Sequence, residues 1–132
     1  MEDWPDDSHL VERARKARLY SYAPYSNFAV GACVRTNGGV LFVGCNIESP
    51  SYGLTVCAER VAIFNAVSAG HTSISALAVV TQPVSNLQER MPCGACRQVM
   101  SEFMMGESYI FLDENTRFRL SDIMPSPFLL KR

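Results

Sequence analysis

Several features are scarce or missing in this sequence, and each absence excludes something. No apolar run approaches the ~18 residues that a membrane-spanning helix needs. The first residues, Met1-Glu2-Asp3-Trp4-Pro5-Asp6-Asp7, are acidic where a secretory leader would be basic, so a cytoplasmic location is expected. Neither charge sign dominates: 12 basic residues stand against 13 acidic ones, for a net charge of −1 and a pI near 6.1. A nucleic-acid-binding domain usually carries a basic stripe. The cluster Arg13, Arg15, Lys16 and Arg18 instead reads as the solvated face of a first helix. Neither nucleic acid nor a membrane is therefore an expected partner. The five cysteines are an odd number in a chain large enough to bury a core, which argues against a disulfide framework. In such a chain, clustered cysteines more often mean metal or catalysis.

The 132 residues fit one domain, expected to span 1–132. Asp6, Asp7 and Ser8 offer caps for a helix over His9–Tyr22, with Leu10, Val11, Ala14 and Ala17 at helical spacing. Phe28–Val34 and Val40–Cys45 are apolar runs around Thr36-Asn37-Gly38-Gly39, a hairpin signal. Both strands are expected to be buried on both faces, beneath helices on each side of a sheet. Helices follow over Cys57–Ala69, closed by Gly70, and over Cys93–Met104. Strands are expected at Ser75–Val80, Tyr109–Leu112 and Arg117–Leu120, and a short helix or turn before Pro125. The order α-β-β-α-β-α-β-β predicts a three-layer α/β/α domain on a five-stranded mixed sheet, with parallel crossovers around the two cysteine-headed helices.

Two fragments carry the chemistry, Cys57-Ala58-Glu59-Arg60 and Pro92-Cys93-Gly94-Ala95-Cys96-Arg97-Gln98. Cys93 and Cys96, three apart on a helix, can grip one ion. Cys57 opens another helix, so all three thiols sit near helix N-termini, where the dipole favours thiolate. A structural zinc site is closed by four protein ligands, whereas a catalytic one uses three plus water. Taken alone, the Cys-X-X-Cys pair could equally be redox-active or half of a structural finger. Adding Cys-Ala-Glu at the start of a second helix shifts the balance to catalytic zinc. The competing arrangement is a closed site completed by Cys33 or Cys45, although both sit among apolar neighbours as core cysteines do. His9 and His71 are isolated and read as surface or cap residues.

On these fragments the chain resembles the cytidine deaminases of the small three-cysteine type. The likeness extends to Ala23-Pro24-Tyr25-Ser26-Asn27-Phe28-Ala29-Val30-Gly31-Ala32, to Gly44-Cys45-Asn46-Ile47-Glu48, and to Ile123-Met124-Pro125 with Phe128, covering about residues 9 to 128. The resemblance implies one Zn²⁺ per subunit on Cys57, Cys93 and Cys96, with Glu59 as general acid/base. It implies that the Ala58 N–H meets the pyrimidine O2, that Asn46 and Glu48 hold the sugar, and that Phe28 lines the base pocket. It places Tyr52 and Phe128 in a neighbour's site within a homotetramer. Its reaction is deamination of cytidine and 2′-deoxycytidine in pyrimidine salvage. Pro50, where the family commonly has Ala, and a sequence ending four residues after Phe128 depart from the pattern at the shared wall.

The residues themselves allow this chemistry. Zinc can lower the pKa of bound water from 15.7 to about 7. Three thiolates oppose that, and Arg60 with the two helix N-termini can offset their charge. Glu59 would serve both proton transfers. Asn46 and Glu48, two apart on an extended segment, face the same way and can bind a diol, or else make turn contacts in a polar loop. Phe28 and Tyr25 could equally be core aromatics. Three other activities stay open on sequence: a deaminase of modified cytosine nucleosides, a polynucleotide editor, and a zinc-stabilised interaction module in which Glu59 has no use.

Overall fold

The computed structural model describes residues 7–130. The acidic residues 1–6, including the cap candidate Asp6, lie outside the described residues. Helix α1 (Ser8–Ala17) buries Leu10, Val11, Ala14 and Ala17, the four positions its periodicity marks. It is shorter than the expected His9–Tyr22, because Arg18–Tyr20 tightens into a 3-10 turn. Asp7 occupies the N-cap position without capping; its carboxylate pairs with Arg35 instead.

Strands β1 (Val30–Thr36) and β2 (Leu41–Cys45) form the expected hairpin. Gly39 N–H donates to Thr36 O at 2.9 Å, and Gly39 takes φ +87°, which makes this a three-residue loop with a left-handed glycine. The expected burial of both strands holds for β1 alone. The sheet order is β2-β1-β3-β4-β5, which leaves β2 at an edge with Val43 41% exposed.

Helix α2 (Ala58–Ser68) leads to β3 (Ile74–Thr81), and α3 (Gly94–Phe103) leads directly into β4 (Met104–Asp113). Strand β5 (Thr116–Arg119) and α4 (Leu120–Ile123) follow. β4 begins well before the expected Tyr109, because Met104 already pairs with Ile74. β5 stops one residue before the expected Leu120, which opens α4; there Asp122 accepts from Arg119 N–H at 2.9 Å. β3 and β4 are parallel across α3, while β1 is antiparallel to both β2 and β3. β2 and β3 therefore run the same way, with α2 crossing between them over β1.

Three layers result. On one face α1 packs against Cys33, Ala78, Val80 and Phe111. On the other, Ala62, Ile63, Ala66 and Met100 of α2 and α3 meet Val34, Leu77, Val79 and Ile110. Gly44 permits the close seat of α2, since a Cβ there would collide with the backbone at Ala62 N and Ala58 O. Because both crossover helices begin beyond the carboxyl ends of parallel strands, their N-termini meet at one edge of the sheet, where α/β folds place ligands.

Candidate active site

Cys57 is the N-cap residue of α2 and Cys93 that of α3, with Cys96 in the first turn of α3. The crossovers thus bring together three sulfurs separated by 39 positions of sequence. All three lie within 4.8 Å of one another, Cys57 to Cys93 at 3.9 Å and Cys93 to Cys96 at 3.5 Å. Tetrahedral zinc with Zn–S bonds of about 2.3 Å needs sulfurs about 3.8 Å apart, so the thiol donors fit that ion in both spacing and softness. Among the described residues this metal-capable group contains no fourth cysteine. Cys33 is buried against α1 on the far face, and the Cys45 thiol donates to Tyr20 O at 3.3 Å. A closed four-cysteine site is therefore not built.

The local electrostatics favour thiolate at Cys57. The hydrogen bond from Cys96, together with the Arg60 guanidinium, lowers the Cys57 thiol to about 5 against the cost of burial. Cys96 in turn is raised by that same bond to Cys57, by burial and by the nearby Glu59 charge, so the proton stays on it until a metal displaces it. Arg60 Nη2 donates to Cys57 Sγ at 3.4 Å. The expected charge partner is thus in contact with a ligand sulfur.

Glu59 is 5% exposed and lies in the first turn of the same helix. Burial pushes its carboxyl up to about 7; the neighbouring Cys57 charge adds to this, while its own backbone N–H and Cys96 partly offset it. A cavity of about 270 Å³ opens over it, lined by Phe28, Asn46, Glu48, Ala58 and Cys93 among others. That volume suits a group of about the size of one nucleoside. Ala58 is the first residue of α2, where a backbone N–H has no intrahelical partner.

Asn46 and Glu48 both face this cavity, held there by the bridges that pair Ile47 with Tyr22 and Val56. Each is also committed to backbone. Asn46 Nδ2 donates to Phe28 O at 2.8 Å, and its Oδ1 accepts from Val30 N–H at 3.0 Å and from the Ser21 hydroxyl. Glu48 accepts from the Tyr25 and Ser26 N–H groups at 3.0 and 3.1 Å and from the Ser26 hydroxyl; the hydroxyl bond above all lowers its pKa. Of the two roles weighed for this pair, the turn contacts are made, and both residues still line the cavity. One amide N–H of Asn46 and one lone-pair region of Glu48 remain unspent.

Tyr52 and Phe128 stand apart from this cavity, 79% and 70% exposed. Tyr52 borders an adjacent recess that shares Ser26, Glu48 and Thr55 with the cavity. Two residues of the second motif have functions that motif spacing did not assign. Arg97 Nε donates to Pro92 O at 2.8 Å and its Nη1 to Ile123 O at 2.9 Å. Gln98 closes a reciprocal pair on Phe128, donating to its carbonyl at 2.8 Å and accepting from its N–H at 3.2 Å. Arg90, in the loop before Pro92, also lines the cavity. Nothing in its local sequence marks it, since its partners lie 22 and 23 positions away.

Residues 5–112 match the family model of the cytidine and deoxycytidylate deaminase zinc-binding region. The chain is 47% identical over 110 residues to a cytidine deaminase of Sporosarcina psychrophila, covering 81% of this chain and 76% of that protein. It is 39% identical to one from Halalkalibacterium halodurans, covering 93% and 94%. The crystal structure of cytidine deaminase from Burkholderia pseudomallei superposes with TM-score 0.82 at 42% identity, over 91% of this chain and 97% of that one. That from Mycobacterium tuberculosis gives 0.83 at 38%, over 96% and 100%. With a three-thiol zinc site at two converging helix starts and a buried carboxyl beside it, the chain belongs to the cytidine deaminase family of zinc-dependent hydrolases.

Proposed function

We propose that this chain, acting as one domain over 1–132, hydrolyses the exocyclic amine of cytidine and 2′-deoxycytidine, giving uridine or 2′-deoxyuridine and ammonia. The observation that carries the reading is the buried Glu59 carboxyl set beside three clustered thiols on the floor of a nucleoside-sized cavity. Zinc held by Cys57, Cys93 and Cys96 supplies a water that is nucleophilic near neutral pH.

The remaining steps fall to side chains and backbone. Glu59 takes a proton from the attacking water and delivers it to N3 of the pyrimidine, which makes C4 electrophilic. Oxygen bonds to C4, and Glu59 then carries the hydroxyl proton to the amino group. The C4–N bond breaks and ammonia leaves. Burial that raises the carboxyl toward neutrality suits a group that must both accept and return a proton. The Ala58 N–H holds O2, Phe28 walls the base, Asn46 and Glu48 hold the sugar hydroxyls, and Arg60 offsets thiolate charge.

Tyr52 and Phe128 complete a neighbouring subunit's site in a homotetramer. Their exposure, the open recess beside Tyr52 and the Gln98 bonds that fix the Phe128 backbone support this reading. The same proposal assigns the enzyme to pyrimidine salvage in the cytoplasm; among the described residues no helix is long and apolar enough to cross a membrane.

The test is loss of absorbance on incubation with cytidine, deoxycytidine, cytosine and a short single-stranded DNA; turnover of the first two alone is expected. Co-refolded Glu59→Gln and Phe128→Ala chains should exceed either parent, since some sites then contain both intact residues. With Phe128→Ala shown to be impaired and assembled, mixtures no better than the parental average would place Phe128 in its own subunit.

A further inference from the structure

The loop from β3 to α3 is pinned at both ends. Gln82 exchanges two hydrogen bonds with Ala29, its N–H donating to Ala29 O and its Oε1 accepting from Ala29 N–H, both at 3.0 Å. Pro92 O accepts from Arg97. Between these ends most bonds are internal to a single 3-10 turn, Leu87–Arg90. Glu89 N–H donates to Asn86 O, Gln88 N–H to Asn86 Oδ1 and Met91 N–H to Gln88 O. Yet Glu89, Arg90 and Met91 form one wall of the cavity above Glu59 and Cys93.

Among the described residues, one side chain of the segment 83–91 hydrogen-bonds to another element. Arg90 Nη2 donates to Leu112 O at 3.1 Å and to Asp113 Oδ2 at 2.6 Å. Asp113 is itself fixed, accepting from Asn115 N–H at 2.7 Å and from the Thr116 hydroxyl at 3.2 Å where the chain turns from β4 to β5. The anchor is therefore a carboxylate hydrogen-bonded at a sheet end, whereas what it holds is otherwise a self-contained turn.

We propose that Arg90 is a positioning residue that latches the wall 83–91 to the β4–β5 turn and thereby sets affinity for the nucleoside. The proposal rests on the deaminase reading of the cavity. Glu59 and Cys96 lie in α2 and α3 and Cys57 and Cys93 cap those helices, while Pro92, held by Arg97, separates Cys93 from the latch. Releasing the wall leaves the reacting groups in place, and the cost of ordering it falls on substrate binding.

The experiment compares wild type with Arg90→Lys, Arg90→Ala, Asp113→Asn and the double variant Arg90→Ala/Asp113→Asn. All are zinc-loaded, and kcat, KM for cytidine, zinc content and hydrogen exchange over 83–91 without substrate are measured. Arg90→Ala should raise KM about tenfold, the scale of one lost charge-assisted hydrogen bond. Its kcat and zinc content should change little, and its 83–91 amides should exchange faster. Asp113→Asn should reproduce most of this while leaving the guanidinium in place, Arg90→Lys should recover part of it, and the double variant should be no worse than the poorer single.

A KM rise in Arg90→Ala without one in Asp113→Asn would mean that Arg90 touches substrate directly, and would overturn the latch. Unchanged exchange over 83–91, strictly additive effects or loss of zinc would overturn it equally. If Arg90→Ala does not fold, Arg90→Lys and Asp113→Asn decide by the same criteria. If wild type leaves cytidine unchanged, the functional reading fails, while exchange over 83–91 still decides the latch.

Discussion

Replacing Glu59 by glutamine should separate what the carboxyl does for turnover from what its burial does to the fold. The side chain is 5% exposed, and its pKa rises from 4.5 to about 7, chiefly by desolvation. Below pH 4.5 the group is protonated whether the chain is folded or unfolded, so it adds no pH dependence. Between 4.5 and 7 the unfolded chain releases the proton while the folded chain keeps it, and stability falls as pH rises. Above 7 both states are ionised and the loss levels off. At about 1.4 kcal/mol per pH unit, that interval removes about 3 kcal/mol from the zinc-free wild type.

Glutamine does not titrate. Melting curves of zinc-free variant and wild type should therefore diverge as pH rises from 4.5 to 7, in the variant's favour, by a difference on the order of 10 °C. In the zinc-loaded proteins kcat should fall by ~10²–10⁴ or more, with zinc and substrate binding kept. Parallel melting curves across this range would refute the burial argument. Retention of a tenth of wild-type turnover would show that another base operates.

X-ray absorption should find three sulfurs and one light atom around one zinc per chain; four sulfurs would overturn the catalytic site. Cys33→Ala and Cys45→Ala should leave zinc content unchanged, since those thiols lie in the α1-side core and against Tyr20 O. Arg60→Ala should weaken zinc retention or move the pH–rate profile to higher pH, because the contact with Cys57 Sγ is lost; an unchanged profile with full zinc would remove charge compensation. Gly44→Ala should cost at least about 1–3 kcal/mol and depress zinc binding together with activity, because the new methyl collides with the α2 backbone that carries Cys57 and Glu59. Denaturant melts and metal analysis read both effects.

The three-thiol set and the buried carboxyl beside it were legible in the sequence, because Cys57, Glu59, Cys93 and Cys96 belong to two short motifs that point to one site only when read together. The apolar period of α1 and the burial of β1 were legible for the same reason, since local pattern and tertiary environment agree there. Local pattern misled where tertiary position decided. The apolar run Val40–Cys45 promised a strand covered on both faces, but the strand it forms, Leu41–Cys45, lies at the sheet edge and is only partly buried. Asp7 offered a cap, but a buried position beside Arg35 gave its carboxylate a better partner. The contacts of Asn46 could not be read from its own segment, because its partners come from residues 21, 28 and 30. The Arg90 contacts are more distant still, reaching the end of a strand that becomes a neighbour only when β3 and β4 pair in parallel. The sequence by itself determined where the metal-capable thiols and the proposed acid/base carboxyl lie along the chain, because that depends on residue type and local spacing. Only the tertiary structure decided what encloses them, because the walls of the cavity are contacts between residues that the chain brings together solely by folding.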